Sequence, residues 1–98
     1  MPIAVGIAWG IKRRNGHERV HCFIGDMAWR SGIAHESVQY ARGHNLPIRW
    51  IVEDNGLSVK TNTAQVWGNE SKIADTQKIS YRYEMNRPHV GINKWIAF

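Results

Sequence analysis

Two stretches decide the fold: Arg19-Val20-His21-Cys22-Phe23-Ile24-Gly25-Asp26 and, further along, Ile48-Arg49-Trp50-Ile51-Val52-Glu53-Asp54-Asn55-Gly56. The first is a short apolar run over Arg19–Ile24 that ends on Gly-Asp, the form expected of a buried strand in a parallel sheet. The second follows Leu46-Pro47, where the proline ring forces its predecessor extended. It reads as a strand over Ile48–Glu53 that closes on the turn Asp54-Asn55-Gly56. Between the two, a loop is expected at 25–31. Ser31 can then cap a helix over 33–44, with Ala34, Val38 and Ala41 on one face. Strand, helix and strand with short connections make a βαβ unit, whose crossover is right-handed.

Working outward, Pro2 suits a first helical turn, and Ile3, Ile7 and Ile11 recur every four residues. A helix is therefore expected over 3–14, ended by Asn15-Gly16. Gly6 and Gly10 inside it cost about 1 kcal/mol each relative to alanine, which points to close packing against a neighbour. Downstream, 64–75 reads as a short helix. In Lys78–Glu84 the residues Ile79, Tyr81 and Tyr83 alternate with Ser80, Arg82 and Glu84, the pattern of a third strand with one more exposed face. The tail from Pro88 to Phe98 shows no clear period, and the chain carries no internal repeat, low-complexity tract or linker. The expected architecture is α/β: one parallel sheet with flanking helices, one domain at most over residues 1–98. That length is small for a sheet covered on both faces.

The hydrophobic fraction of 43% and charged fraction of 21% are those of a globular chain rather than a disordered one. Five tryptophans point to more buried or interfacial aromatic surface than a lone small domain needs. The one cysteine, Cys22, has no internal disulfide partner, which fits a reducing, cytoplasmic setting. No stretch approaches the ~20 apolar residues of a membrane span. The net charge of +5 is scattered apart from Lys12-Arg13-Arg14, so it makes no obvious nucleic-acid stripe.

Chemistry is expected where the strands end, because ligands of open parallel sheets bind beyond the carboxyl ends of the strands. Adjacent strands lie ~4.8 Å apart, so side chains leaving both exits can converge on one ion. Asp26 and Asn55 offer a carboxylate and an amide oxygen there. Mg²⁺ takes oxygen ligands and favours few carboxylates plus substrate phosphates. The amino end of the 33–44 helix faces the same crevice and favours a phosphate. Gly-Asp and Asp-Asn-Gly are also ordinary turn sequences, so spacing alone leaves a plain turn open.

The whole string goes further. Gly25-Asp26-Met27-Ala28, Gly32, His35-Glu36, Ala41, Leu46-Pro47 and Ile51-Val52-Glu53-Asp54-Asn55-Gly56-Leu57 resemble the thiamine-diphosphate motif without a gap. The family most similar is the alpha subunit of the decarboxylating component of 2-oxo acid dehydrogenases, with transketolase a more distant relative. Pro2-Ile3-Ala4-Val5-Gly6-Ile7-Ala8 also looks like that family's helix before the motif, so the resemblance covers roughly residues 2–61. Pro88-His89-Val90-Gly91 and Lys94-Trp95 look like the end of short members of the group.

The resemblance implies a partial thiamine-diphosphate-binding fold, with thiamine diphosphate and Mg²⁺ as cofactors. It implies Asp26 and Asn55 as Mg²⁺ side-chain ligands and Leu57 as the backbone-carbonyl ligand. Gly25, Met27 and Ala28 would lie against the diphosphate through backbone atoms. The implied chemistry is decarboxylation or ketol transfer, completed by a beta-type or pyrimidine-binding partner chain in an oligomer, since the family's activating glutamate sits on that partner. Two positions depart from the pattern. Met27 stands where the motif usually has glycine, so either its side chain points away or the diphosphate approach is impaired. Asp54-Asn55 replaces a paired Asn-Asn, and the added carboxylate either sits outside the metal shell or tightens the metal while repelling diphosphate.

Other residues read more plainly. His17 and His21 enter a strand rather than a helix, so their spacing does not make a zinc pair. His35, His44 and His89 read as surface or packing residues, and Cys22 as a buried, inert thiol. Trp50, Trp67, Tyr81, Tyr83 and Trp95, interleaved with basic residues, would suit stacking on single-stranded nucleic acid, but no recognition-domain signature accompanies them. They read instead as cover for the sheet or as a face for a missing subunit. Two alternatives to the cofactor reading stand: a non-catalytic interaction module that keeps the fold, and a small basic nucleic-acid binder.

Overall fold

A computed structural model describes residues 1–68 and 78–84. Helix α1 spans Pro2–Arg13, with the proline in its first turn. It ends where Asn15 turns left-handed at φ 55°, and the Gly16 amide donates to the Ile11 carbonyl at 2.9 Å. Strand β1 spans Val20–Gly25. The expected loop at 25–31 instead opens with a single helical turn, α2, at Asp26–Trp29. Trp29 accounts for that turn: its side chain is buried, with its ring centroid 6.4 Å from that of Trp50. Helix α3 spans Gly32–Gly43, and the Ser31 hydroxyl accepts from the Ala34 amide at 3.3 Å, the cap read from the sequence.

Strand β2 spans Ile48–Asp54 and lies at the centre of a three-stranded sheet of order β1-β2-β5, where β5 is Lys78–Arg82. Both pairings are parallel. A small antiparallel hairpin follows β2, with β3 at Leu57–Ser58 and β4 at Thr61–Asn62. Helix α4 at Thr63–Trp67 completes the described elements. The α/β class and the parallel sheet stand as expected. The tail from Pro88 and most of the expected 64–75 helix lie outside the described residues.

The core forms on one sheet face. Ile48, Trp50 and Val52 are buried, with Val20, Cys22 and Ile24 beside them in register. Val5 and Ala8 of α1, Val38 and Ala41 of α3, and Trp29 and Leu46 pack on that face. The expected face of α1 is corrected here: Val5, Ala8 and Ile11 are buried, whereas Ile3 and Ile7 are exposed. A strict spacing of four drifts around a helix of 3.6 residues per turn, so the isoleucine row is not one straight stripe. A Cβ at Gly6 or Gly10 would meet nothing within 4 Å among the described residues, so the close packing inferred for these glycines does not occur there. Among the described residues no helix is long and apolar enough to cross a membrane.

Candidate cofactor site at the strand exits

The register places Gly25, the last residue of β1, opposite Glu53 of β2. The chain therefore leaves both strands side by side, with Asp26 beyond one, and Asp54 closing the other with Asn55-Gly56 beyond it. Asp26 begins α2 and is only 7% exposed. Its Oδ2 accepts the Thr63 hydroxyl at 2.5 Å. Thr63 is itself buried, and its backbone amide donates to the Gly56 carbonyl at 2.9 Å. One residue thus ties the β1 exit to the β2 exit.

The turn after β2 is held by its own side chains. Asp54 Oδ1 accepts from the Gly56 amide and Asn55 Oδ1 from the Leu57 amide, both at 3.0 Å. These are consecutive Asx turns. Gly56 is left-handed at φ 72°, and a Cβ there would come within 3.3 Å of the Arg82 guanidinium, so geometry and space both favour glycine. The amide oxygen of Asn55 keeps a second lone pair when it accepts from Leu57. The other Asp54 oxygen meets Arg82 Nη1 at 3.3 Å. This carboxylate is thus engaged by β5 on one oxygen and by its own turn on the other.

Leu57 shows its availability through the hairpin ladder. Ser58 and Thr61 close a two-residue loop, and the Thr63 amide bonds the Gly56 carbonyl. Hydrogen-bonded pairs alternate along an antiparallel ladder, so the intervening Leu57–Asn62 pair is the non-bonded one. The Leu57 carbonyl therefore points away from β4, and its amide is already turned to Asn55.

Met27 and Ala28 follow Asp26 in α2. The Met27 side chain reaches α4, where its sulfur accepts the Trp67 indole N–H at 3.0 Å. Arg30, just after α2, donates to the Gly68 carbonyl. Thr63 did not figure among the sequence candidates, and Trp67 figured only as a possible stacking or sheet-covering aromatic. Asn62 was the available signal: its side chain accepts from the Ala64 amide at 2.9 Å, the N-cap that starts α4.

The remaining candidates separate from this locus. His17 and His21 are exposed, on a loop and on β1. His44 packs against Tyr40 and Trp9, with ring centroids 4.3 and 5.2 Å away, a packing role. Cys22 is half-buried against the core rather than fully enclosed. Trp50 is core, Tyr81 and Tyr83 are exposed, and His89 and Trp95 lie outside the described residues. Among the described residues no three His, Cys, Asp or Glu side chains group as a metal cluster. A cation here would rely on a mixed set of carboxylate, amide and carbonyl oxygens, the set a hard cation accepts. A depression of about 620 Å³ runs along the outer side of α3 from Gly32 to His44, away from these oxygens. We take the strand exits as the site because the oxygen donors are there.

Comparison with known proteins gives a consistent relationship. The family model for the dehydrogenase E1 component matches residues 1–81. The chain is similar to the mitochondrial 2-oxoisovalerate dehydrogenase subunit alpha of Mus musculus, at 34% identity over 74 residues. That match takes in 76% of this chain and 17% of the relative. The Homo sapiens protein of that name gives the same figures, and the Bos taurus protein differs only in that 16% of it is covered. The chain therefore spans about one-sixth of the length of these relatives.

Proposed function

The chain belongs to the dehydrogenase E1 component family, and from that premise we propose that it carries the Mg²⁺–diphosphate half of a thiamine-diphosphate site. The observation that carries this reading is the tie made by Thr63, which holds the buried Asp26 carboxylate and the Asn55-Gly56-Leu57 turn at one locus. The donor set fits the group. Asp26 and Asn55 would hold Mg²⁺ through side-chain oxygens, and Leu57 through the carbonyl that its hairpin leaves unpaired. Gly25, Met27 and Ala28 would receive the diphosphate along their backbone.

Thiamine diphosphate, when bound, supplies the electron sink for decarboxylation of a 2-oxo acid or for ketol transfer. This chain's residues bind and orient. The Asp26 charge would offset that of the metal, and Arg82, 3.3 Å from Asp54, would offset part of a carboxylate charge that otherwise repels phosphate oxygens. In this reading a beta-type or pyrimidine-binding partner chain, implied by the family resemblance, would serve the aminopyrimidine ring. The relatives are alpha subunits by name. A face for such a partner is available: Phe23, Ile51 and Ile79 align in register on the sheet side opposite the core, with Phe23 62% exposed. Parallel sheets are ordinarily covered on both faces.

Calorimetry of the full chain with thiamine diphosphate and Mg²⁺ tests the reading. Binding that needs both ligands and disappears in Asp26→Ala is expected. No heat at millimolar ligand, with a partner chain present, would leave a non-catalytic interaction module. Salt-sensitive binding to single-stranded nucleic acid that survives Asp26→Ala would favour the basic binder instead.

A further inference from the structure

Helix α4 touches the β1 exit at three successive points. Thr63 bonds Asp26, Trp67 bonds Met27, and the Gly68 carbonyl accepts from Arg30. Positions 63 and 67 are one helical turn apart, so their side chains leave the same face of α4 and meet neighbouring residues of α2. The first contact is buried at both ends, with Thr63 2% and Asp26 7% exposed. The Thr63 hydroxyl donates to Asp26 Oδ2 at 2.5 Å.

A carboxylate turns freely about its last torsion, whose wells are broad and two-fold. A buried hydroxyl fixed on one oxygen removes that freedom and sets where the other oxygen points. The Thr63 hydroxyl is in turn fixed, because its own backbone amide is bonded to Gly56 in the opposite turn. Met27 is the second liability of the site, since a long side chain stands where close backbone approach is needed. Its thioether is held against α4 by the Trp67 indole.

We infer that α4 is a positioning clasp for the diphosphate site: Thr63 orients the Asp26 carboxylate for the cation, and Trp67 retains the Met27 side chain clear of the anion. This rests on the cofactor reading above. Thr63 and Trp67 contact neither metal nor cofactor in this assignment and act through Asp26 and Met27. Hydrogen-bond partners of metal ligands typically change metal affinity by about 10–100-fold when removed.

The test is calorimetric titration of the full chain with Mg²⁺ and thiamine diphosphate, for wild type, Thr63→Val, Thr63→Ser and Trp67→Phe. Thr63→Val keeps the volume and loses the hydroxyl; a 10–100-fold weaker Mg²⁺-dependent affinity is expected. Thr63→Ser restores the donor and should return affinity to within a few-fold of wild type, a rescue that loss of packing alone would not give. Trp67→Phe alters an exposed contact, so it tests the second half of the clasp even if Thr63→Val does not fold, and several-fold weakening is expected. Wild-type affinity in Thr63→Val or in Trp67→Phe overturns the clasp while leaving the cofactor reading intact. Absence of binding by the wild-type chain at millimolar ligand with a partner chain present overturns both.

Discussion

Replacing Asp26 by asparagine should make the free protein more stable and the cofactor-bound protein unattainable. The carboxylate is 7% exposed and accepts the Thr63 hydroxyl. Among the described residues no basic side chain forms an ion pair with it, since the pairs found are Arg14–Glu18 and Arg82–Asp54. Removing a carboxylate from water costs several kcal/mol after relaxation, of which a hydrogen bond to a charged group returns about 1.5–3 kcal/mol. The remainder is a net penalty that asparagine avoids. Asparagine has nearly the same shape and keeps an acceptor for Thr63, so Asp26→Asn is expected to gain about 1 kcal/mol in the free chain. For a domain of this size that raises Tm by roughly 4–8 °C. Binding reverses the order. A ligand at one hundred times its Kd stabilises by about 2.7 kcal/mol, which on the proposed reading is available to wild type and not to a variant that lacks the Asp26 charge. Thermal unfolding followed by circular dichroism, with EDTA and then with Mg²⁺ and thiamine diphosphate, reads both effects. The reasoning fails if Asp26→Asn melts well below wild type in EDTA, because the carboxylate would then be a structural asset. It fails equally if the variant keeps the full ligand-induced shift.

Further outcomes follow from single positions. Val59 is a β-branched residue at φ 57° on the tip of the β3–β4 hairpin and is 51% exposed; Val59→Asn should gain about 0.5–1 kcal/mol by relieving that conformation, and an unchanged or lowered urea midpoint would contradict this. The Tyr81 hydroxyl donates to Glu53 at 2.5 Å, and the carboxylate holds the phenol above its ordinary value of 10. The folded chain then keeps a proton that the unfolded chain has released, so this contribution is whole below pH 10 and fades as pH rises through the folded value. Phenolate absorbance should show one late tyrosine that becomes ordinary in Glu53→Gln. Trp50 is fully buried beside Trp29; Trp50→Ala should cost about 3–5 kcal/mol and abolish a cooperative melt, whereas near-wild-type stability would mean that the core lies elsewhere.

The parts of the molecule visible in the sequence are those governed by local rules. Ser31 announced α3 because an N-cap acts within three residues, and Leu46-Pro47 announced β2 because proline acts on its neighbour. Ala34, Val38 and Ala41 gave the buried face of α3 correctly, since they mix spacings of four and three. A spacing of four alone does not give the buried face of α1, because which stripe is buried depends on the partner, here the sheet and α3. The turn α2 was invisible for a similar reason: what ordered Asp26–Trp29 was Trp29 meeting Trp50, a contact made only after the sheet forms. At the site, the two exits were legible because strand ends and Asx-Gly turns are local. The clasp was not, since Thr63 and Asp26 are far apart in sequence and nothing near either names the other.

The two sides of the sheet separate what positions the candidate site from what is left uncovered. Val20, Cys22 and Ile24 alternate with His21, Phe23 and Gly25, and the register repeats that division across β2. The core side has α1, α2 and α3 on it, which fixes the β1 and β2 exits relative to each other. Those exits need no cover on the opposite side to bring Asp26 and the Asn55 turn together through Thr63. On the opposite side Phe23, Ile79 and Tyr81 remain 62%, 47% and 44% exposed, more apolar surface than a parallel sheet ordinarily leaves to water. Geometry at the strand ends and coverage of the far face are therefore separate requirements. The described residues meet the first, and the proposed partner chain is what the second calls for.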